Sequence, residues 1–128
     1  MKIEHVGLYV RDLGAAKEFF ETYFEATGGD RYHNQKTGFQ SYFLTFVDGA
    51  RLEIMTRESD LVEGSRESFF TGYHHLSFSL GSQEAVDQLT VRLQADGYPV
   101  LSGPRVTGDG YYESCIQGFE GNQIELTI

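Results

Sequence analysis

Two histidines and two glutamates recur at matching places in the two halves of the sequence. His5 lies in I-E-H-V-G-L-Y-V and His75 in Y-H-H-L-S-F-S-L. Glu53 follows His5 by 48 residues, in R-L-E-I-M, and Glu125 follows His75 by 50 residues, in Q-I-E-L-T. Two imidazoles and two carboxylates would form a mixed nitrogen and oxygen site, which suits Zn, Ni, Co, Mn or Fe. This donor set excludes a thiolate site, and its two histidines disfavour Mg and Ca.

Alternation along the predicted strands places these four side chains on a common side. Alternate residues of a strand point to opposite faces of its sheet. In each strand the neighbours of the candidate ligand form an apolar face that a helix would cover, so the ligand takes the other face. Random placement would give this agreement about one time in eight. The predicted helix-facing residues are Val6, Leu8, Val10, Leu52, Ile54, Leu76, Phe78, Leu80, Ile124, Leu126 and Ile128.

A purely structural role for the same residues is the competing interpretation. His5 and His75 would then be ordinary strand histidines, and the glutamates would pair with Arg51 or Arg57. A carboxylate among Phe, Tyr and Met side chains is costly unless it is paired or binds a metal. Strand periodicity alone does not decide between an ion pair and a metal site.

The elements that would position these residues occur twice in the same order. A strand over residues 2–10 and another over 74–80 are each followed by a helix, with Asp12 and Ser82 as the predicted caps. Three further strands complete each half, so that each half is predicted as β-α-β-β-β. The remaining predicted elements are helices to about residue 26 and over 83–95, strands over 39–47, 50–56, 98–101, 111–119 and 123–128, an edge strand or loop over 30–38, and a loop over 102–110.

The two halves align over most of their length. Residues 3–10 match 73–80 with an offset of 70, and residues 38–56 match 110–128 with an offset of 72. One such module covers one face of its sheet with a helix and is not stable alone. Pairing of two modules, within a chain or across a dimer, would leave the helix-free faces lining a cleft. The predicted organisation is module 1 over about 1–57, a linker over 58–72 and module 2 over about 73–128.

Charge and composition limit the classes of partner. The formal net charge of −9 argues against nucleic acid or an anionic membrane, because both require a basic face. A single cysteine, Cys115, excludes an intramolecular disulfide and fits a reducing compartment. The sequence shows neither a leader-like N-terminal segment nor an apolar run of membrane-spanning length. We therefore expect a cytoplasmic protein whose partner is a small molecule.

Several of these segments resemble the vicinal oxygen chelate superfamily, and within it the small bacterial glyoxalase I-like proteins with the lactoylglutathione lyase/bleomycin resistance/dioxygenase fold. The resemblance rests on I-E-H-V-G-L-Y-V-R-D-L with A-A-K-E-F-F-E-T-Y-F, on Y-H-H-L-S-F-S-L, and on E-G-N-Q-I-E-L near the end. It implies an α+β fold in which two tandem modules form a cup-shaped, partly open mixed β-sheet barrel with helices outside. It also implies one divalent metal ion, held by His5, Glu53, His75 and Glu125.

The resemblance further implies a reaction and its participants. A small α-oxo or hemithioacetal substrate would chelate the metal through adjacent oxygens, and Lewis acidity would stabilise an enediolate or oxyanion. Glu125 would act as general base at a carbon beside a carbonyl, with Glu53 as the second candidate. A homodimer is expected, because the family commonly shares its site between chains. The predicted pocket residues are Tyr9, Arg51, Met55, Ser77 and Tyr111.

Some features depart from the family pattern or leave alternatives open. Tyr9 stands where glutathione-using members carry a basic residue, which puts glutathione in doubt. Residues 103–111 are either a loop that covers the substrate or a plain connection. Cys115 is predicted as a small buried filler, with pocket lining as the alternative.

Other functions of the fold are an epimerase, an epoxide- or antibiotic-modifying enzyme and a non-catalytic binding protein. An extradiol dioxygenase is disfavoured because it uses two histidines and one glutamate.

Overall fold

A computed structural model describes residues 1–64 and 71–128 of the chain. The chain divides into two compact units, and the first ends at Gly64, inside the predicted linker. Each unit contains one module. Nowhere in the two described segments is there a helix that is long and apolar enough to cross a membrane.

Module 1 is a mixed sheet with one helix. Its elements are β1 (His5–Tyr9), α1 (Leu13–Phe24), β2 (Thr27–Gly28), β3 (Tyr32–Asn34), β4 (Phe39–Thr45) and β5 (Arg51–Arg57). β1 runs parallel to β5, and β5 runs antiparallel to β4. The short strands β2 and β3 both pair with β4 in antiparallel fashion. β5 therefore lies between β1 and β4, and α1 packs on β4 and β5.

Module 2 repeats this plan. Its elements are β6 (His75–Ser79), α2 (Gln83–Ala95), β7 (Val100–Val106), β8 (Tyr112–Gln117) and β9 (Gln123–Thr127), with a single 3₁₀ turn at Phe119–Gly121. The strand order is β6-β9-β8-β7, and β6 is parallel to β9. Across the described residues, neither sheet closes into a barrel. The predicted α+β class with two β-α-β-β-β modules is confirmed.

Both helices begin at the predicted caps. The Asp12 side chain accepts a hydrogen bond from the Ala15 amide at 2.9 Å, and Ser82 accepts one from the Ala85 amide at 3.1 Å. These oxygens satisfy amides that lack a partner in the first helical turn. The side chains that the helices bury against their sheets are Leu13, Ala16, Phe19, Phe20 and Phe24 in α1, and Val86, Thr90 and Leu93 in α2.

The two faces of each sheet differ as the alternation predicts. The helix-side residues Leu52 and Ile54 of β5 are buried, as are Ile124 and Leu126 of β9. His5 and His75, on the other face, are exposed. The prediction is wrong for Ile128, which is half exposed because it follows the last paired residue of β9. We call the face without a helix the open face of each module.

The predicted loop over residues 102–110 is wrong in its first half, because β7 continues to Val106. Gly103 and Pro104 indicated a break, since proline lacks a backbone donor. β7 is however the edge strand of its sheet, where a missing donor costs no ladder hydrogen bond. Its pairing with β8 shifts register twice between Val100 and Arg105, which accommodates the irregular backbone. The connecting loop is therefore limited to residues 107–111.

Replacing Gly103 by alanine is expected to destabilise the fold by about 2–4 kcal/mol. Gly103 has a φ of +81°, and a Cβ atom there would clash with the Glu113 carbonyl and lie 2.9 Å from Ser114 Cα. Neither backbone group can rotate away. Urea unfolding measures the loss. Gly108→Ala is the control, because nothing lies within 4 Å of its Cβ position, and it should change stability by less than about 0.5 kcal/mol. Equal losses in the two variants would contradict the prediction.

Candidate metal centre

In module 1 the pairing of β1 with β5 brings His5 and Glu53 together. Gly7 lies directly opposite Glu53, so the histidine and the glutamate are diagonal neighbours on the open face. The His5 Nε2 atom is 3.9 Å from a Glu53 carboxylate oxygen. The Glu53 side chain is only 17% exposed, so its charge is largely shielded from water.

Module 2 repeats this arrangement on β6 and β9. Ser77 lies opposite Glu125, and His75 is again the diagonal neighbour. The His75 Nε2 atom is 3.6 Å from a Glu125 carboxylate oxygen, and the Glu125 side chain is 22% exposed. The structure therefore brings the four predicted ligands together as two equivalent histidine–glutamate pairs, one in each module.

The other ring nitrogen of each histidine contacts the preceding residue. Glu4 is hydrogen-bonded to His5 Nδ1, and His74 Nδ1 is 3.0 Å from His75 Nδ1. The hydrogen bonds to His5 and then to Arg51 hold the pKa of Glu4 below its usual value. A histidine held through Nδ1 presents Nε2 in a fixed direction, as metal-binding histidines commonly do. Sequence reasoning missed Glu4 and His74, although the doublets Glu4-His5 and His74-His75 were the available signal.

Arg51 does not neutralise Glu53. Its guanidinium donates to Glu4 at 2.8 Å through Nε, and its Cζ atom lies 4.2 Å from the centre of the Phe43 ring. In the described segments neither Arg51 nor Arg57 forms an ion pair with Glu53. The structural interpretation that paired the glutamates with these arginines is therefore wrong for Glu53.

The surroundings of Glu125 differ from those of Glu53. The Ser77 hydroxyl donates to one Glu125 carboxylate oxygen at 2.7 Å, whereas the matching position in module 1 is Gly7. Glu113 shares the open face with Glu125, and the pKa of Glu113 is raised by burial first and then by the Glu125 charge. This part of the open face therefore concentrates negative charge around Glu125.

Cys115 lies on the same face, directly opposite Glu125 in the β8–β9 pairing. It is partly exposed and its sulfur accepts a hydrogen bond from Gln123 at 3.4 Å. The prediction of a buried filler is therefore wrong, because Cys115 is partly exposed on the open face; pocket lining stays a prediction. Burial and the neighbouring Glu125 both raise the pKa of the Cys115 thiol, which keeps it protonated at neutral pH.

The predicted pocket residues divide between the two modules. Tyr9 and Met55 face each other across β1 and β5 and share the open face with His5 and Glu53. Arg51 lies on the same face, and Ser77 lies on that of module 2. Tyr111 is outside the strands, and its backbone amide donates to the Thr107 hydroxyl at 3.0 Å. Tyr111 is thus part of the loop after β7.

The donor chemistry of the pairs fits a divalent transition metal. Metal bonds of about 2.0–2.2 Å place neighbouring nitrogen and oxygen ligands about 3–3.5 Å apart. The observed separations of 3.9 and 3.6 Å are close to this range. Within each module, as far as residues 1–64 and 71–128 show, no third His, Cys, Asp or Glu completes a group able to hold a metal ion. Each pair therefore supplies two donors, half of a four-ligand site.

A third histidine–glutamate pair shows that proximity alone is not distinctive. His33 Nε2 lies 3.6 Å from a Glu58 carboxylate oxygen, but the Glu58 side chain is 66% exposed. His33 lies on β3, away from the parallel strand pair, and pairs with Gln40. Tyr112 matches Gln40 in module 2, and its pairing partner is Val106 and not a histidine. The repeat, together with the shielded glutamates, distinguishes the two candidate pairs from this one.

Comparisons with known proteins support the same family. YqjT of Bacillus subtilis, an uncharacterized protein, is 29% identical over 127 residues, which cover 97% of this chain and 96% of YqjT. The structure of a possible glyoxalase from Bacillus cereus is 27% identical, with a TM-score of 0.69 and coverage of 100% of this chain and 99% of that one. Lactoylglutathione lyase from Agrobacterium tumefaciens shares the fold at 22% identity, with a TM-score of 0.69 and coverage of 98% and 91%. Because residues 2–126 match the family model, the chain belongs to the Glyoxalase/Bleomycin resistance protein/Dioxygenase superfamily.

Proposed function

We propose that the protein is a divalent-metal-dependent isomerase or lyase of the glyoxalase I type, acting on a small α-oxo or hemithioacetal compound. The observation that carries this proposal is the repeated histidine–glutamate pair, with Nε2-to-carboxylate distances of 3.9 and 3.6 Å. A histidine and a shielded glutamate at the same place in two modules are donors of the right chemistry in the right number.

In this proposal His5, Glu53, His75 and Glu125 hold one ion of Zn, Ni, Co, Mn or Fe. Neither pair is sufficient alone, so the proposal needs one pair from each of two modules. The second module comes either from the same chain or from a second copy, and we propose a homodimer. When bound, such an ion supplies Lewis acidity towards adjacent oxygens of a substrate.

Glu125 is the proposed general base. The Ser77 hydroxyl donates a hydrogen bond to one of its carboxylate oxygens, and the second oxygen is directed towards His75. A carboxylate with one oxygen anchored accepts a proton at a defined position. Glu53 lacks this anchor because residue 7 is glycine, and it is the second candidate. Tyr9 provides no cation for a glutathione carboxylate, so we infer that any thiol partner is recognised elsewhere.

Metal content and turnover test the proposed function together. We expect the purified protein to bind one divalent ion per chain and to convert α-oxo aldehydes, alone or with a thiol. The assay combines a panel of such aldehydes with several thiols and with each of the five metals. Elemental analysis under metal-replete conditions gives the stoichiometry.

The alternative functions of the fold give different results in the same experiment. Protein that takes up no metal would contradict the proposal and favour a non-catalytic binding protein. A loaded protein that is inactive on every aldehyde, but epimerises a thioester or opens an epoxide, would instead identify another metalloenzyme of the superfamily. Sedimentation at micromolar concentration tests the homodimer, and a monomer at that concentration would contradict it.

A further inference from the structure

The carboxylate of Glu4 contacts both the ring of His5 and the guanidinium of Arg51. One of its oxygens is hydrogen-bonded to His5 Nδ1, and the other accepts from Arg51 Nε at 2.8 Å. The backbone joins the same two segments, because the Arg51 amide donates to the Glu4 carbonyl at 3.0 Å. His5 and Arg51 are also directly paired across β1 and β5. Glu4 is therefore held beside His5 through both its side chain and its backbone.

The ring of Phe43 completes this arrangement. The Arg51 guanidinium carbon lies 4.2 Å from the centre of the Phe43 ring, which is within the range of a cation–π contact. The Phe43 ring meets the His5 ring edge to face, with centroids 5.4 Å apart and an interplanar angle of 85°. The guanidinium group that holds Glu4 is thus itself held by a neighbour of His5. We call Glu4, Arg51 and Phe43 the support group of His5.

The contact with Glu4 indicates which nitrogen of the neutral His5 ring carries the proton. An ionised carboxylate has only acceptors, so this hydrogen bond requires a proton on Nδ1. In a neutral imidazole the other nitrogen is then unprotonated. That nitrogen, Nε2, is 3.9 Å from Glu53 on the open face. A metal ion requires an unprotonated histidine nitrogen, and the hydrogen bond at the other nitrogen selects which one is available.

Module 2 does not repeat the support group. The offsets of 70 and 72 residues place a histidine, a glutamine and a cysteine at the positions of its three members, namely His74, Gln123 and Cys115. His74 Nδ1 is 3.0 Å from His75 Nδ1, and either of these nitrogens can be the donor. The glutamine donates to the cysteine sulfur at 3.4 Å. The candidate ligands are therefore duplicated, whereas the groups behind the two histidines differ.

We propose that Glu4, held by Arg51, is a positioning residue that keeps the proton of the His5 ring on Nδ1 and leaves Nε2 free to bind a divalent metal. This inference rests on the proposed function, which assigns His5 as a ligand. A contribution to fold stability does not explain the contact. The Glu4 side chain is 55% exposed, and exposed ion pairs contribute little to stability. Glu4 acts through the state of the His5 ring.

The substitution Glu4→Gln tests the proposal, because it changes the hydrogen bonding and keeps the shape of the side chain. Arg51 can only donate, so it retains the amide oxygen as its acceptor and turns the amide NH₂ group towards His5 Nδ1. An NH₂ group also only donates, so Nδ1 must lose its proton and the neutral ring carries it on Nε2. We therefore expect the proton on Nδ1 in the wild type and on Nε2 in the variant.

The nitrogen chemical shifts of the histidine rings report this proton position. They are measured on the metal-free, full-length protein at about pH 8.5, where free imidazole is neutral. His5→Ala identifies the His5 signals among those of the four histidines. Glu58→Gln is the matched control, because Glu58 is an exposed carboxylate 3.6 Å from a different histidine, His33. It should leave the His5 signals unchanged.

Metal affinity is the second readout. Glu4→Gln should bind Zn²⁺ about tenfold or more weakly than the wild type, as is typical when the group behind a metal-binding histidine is changed. Glu58→Gln should bind Zn²⁺ like the wild type. Urea unfolding of both variants should match that of the wild type, which separates a positioning effect from a loss of folding.

The two readouts distinguish failure of this inference from failure of the proposed function. A wild-type His5 ring with its proton on Nε2 or on both nitrogens would overturn the inference, and so would the same ring state in Glu4→Gln and the wild type. Unchanged Zn²⁺ affinity in a variant whose ring state has changed would also overturn it. A wild-type protein that takes up no metal would contradict the proposed function, whereas the ring states of the metal-free protein would still decide whether Glu4 controls the His5 proton.

Discussion

Replacing His75 by alanine is expected to weaken the binding of a divalent metal about 100-fold or more. The change removes one of two imidazoles and leaves Glu125, 22% exposed, without its neighbouring nitrogen donor. His5→Ala should have an effect of similar size, because His5 occupies the same position in module 1 and is 3.9 Å from Glu53. Calorimetric titration of the metal-free protein with Zn²⁺ or Ni²⁺ measures both losses.

The chain supplies a matched control for this experiment. His33 also lies 3.6 Å from a glutamate, Glu58, so His33→Ala removes a histidine from a pair of the same separation. It should leave metal affinity unchanged, because that pair is solvent-exposed and has no counterpart in module 2. If each module bound its own ion, His75→Ala would remove half of the metal and leave the affinity of the remainder unchanged. That result would contradict a single shared centre.

The positions of the candidate ligands could be predicted because they depend on strand alternation. A residue on a strand has two possible faces, and the apolar neighbours of His5 and Glu53 settle which face each one takes. The diagonal contact between β1 and β5 follows from the parallel register, which sequence periodicity does not specify. The sequence therefore predicts a shared face, but only the pairing of strands gives the separation of 3.9 Å.

Other features depend on contacts between residues that are distant in sequence. Ser114 is completely buried on the helix side of β8, where an apolar residue would be expected. Its hydroxyl forms a 2.6 Å hydrogen bond with Thr90 of α2, and Thr90 also donates to the Val86 carbonyl at 2.6 Å. A buried polar group is tolerated when it is hydrogen-bonded. Such a bond depends on how a helix lies on its sheet, and no local pattern in the sequence indicates it.

The ion pairs around the candidate centre could not be predicted from the sequence either. Arg51 lies on the face that strand alternation predicts. Its guanidinium nevertheless forms an ion pair with Glu4, just before β1, and not with Glu53 on its own strand. Residues two apart on a strand share a face. The carboxylate with which a long side chain pairs depends, however, on the three-dimensional positions of the carboxylates within its reach. The same limitation applies to the edge strand β7, whose Gly103 and Pro104 locally resemble a loop.

The two modules carry the same candidate ligands but differ in what holds the glutamates. Ser77 donates to Glu125 at 2.7 Å, and Gly7 gives Glu53 no such donor. A serine side chain at residue 7 would meet the flexible end of Met55, because a Cβ atom there lies 2.9 Å from Met55 Cε. The duplicated scaffold therefore gives one glutamate an anchor and leaves the other without it. In the proposed metal centre, this difference allows separate roles for Glu125 and Glu53.

Glu125→Gln is therefore expected to retain most of the bound metal while turnover falls by about 10²–10⁴-fold. The amide keeps an oxygen that can accept from Ser77 and act as a ligand, but it is far too weak a base to accept the substrate proton. Measuring metal content and initial rate on the same preparation separates the two effects. Glu53→Gln should lose less turnover than Glu125→Gln if Glu125 is the base.

A charge-matched control is available on α2. Glu84→Gln alters an exposed carboxylate whose described hydrogen bond is to Gln88, at 2.9 Å, so it should leave both metal content and rate unchanged. A Glu125→Gln enzyme with full metal and full activity would remove Glu125 from the proton transfer. If Glu53→Gln lost more turnover than Glu125→Gln, the general base would instead be Glu53, the glutamate without a serine hydrogen bond. Proton transfer would then require a carboxylate that is free to move, and the Ser77 hydroxyl would serve metal binding alone.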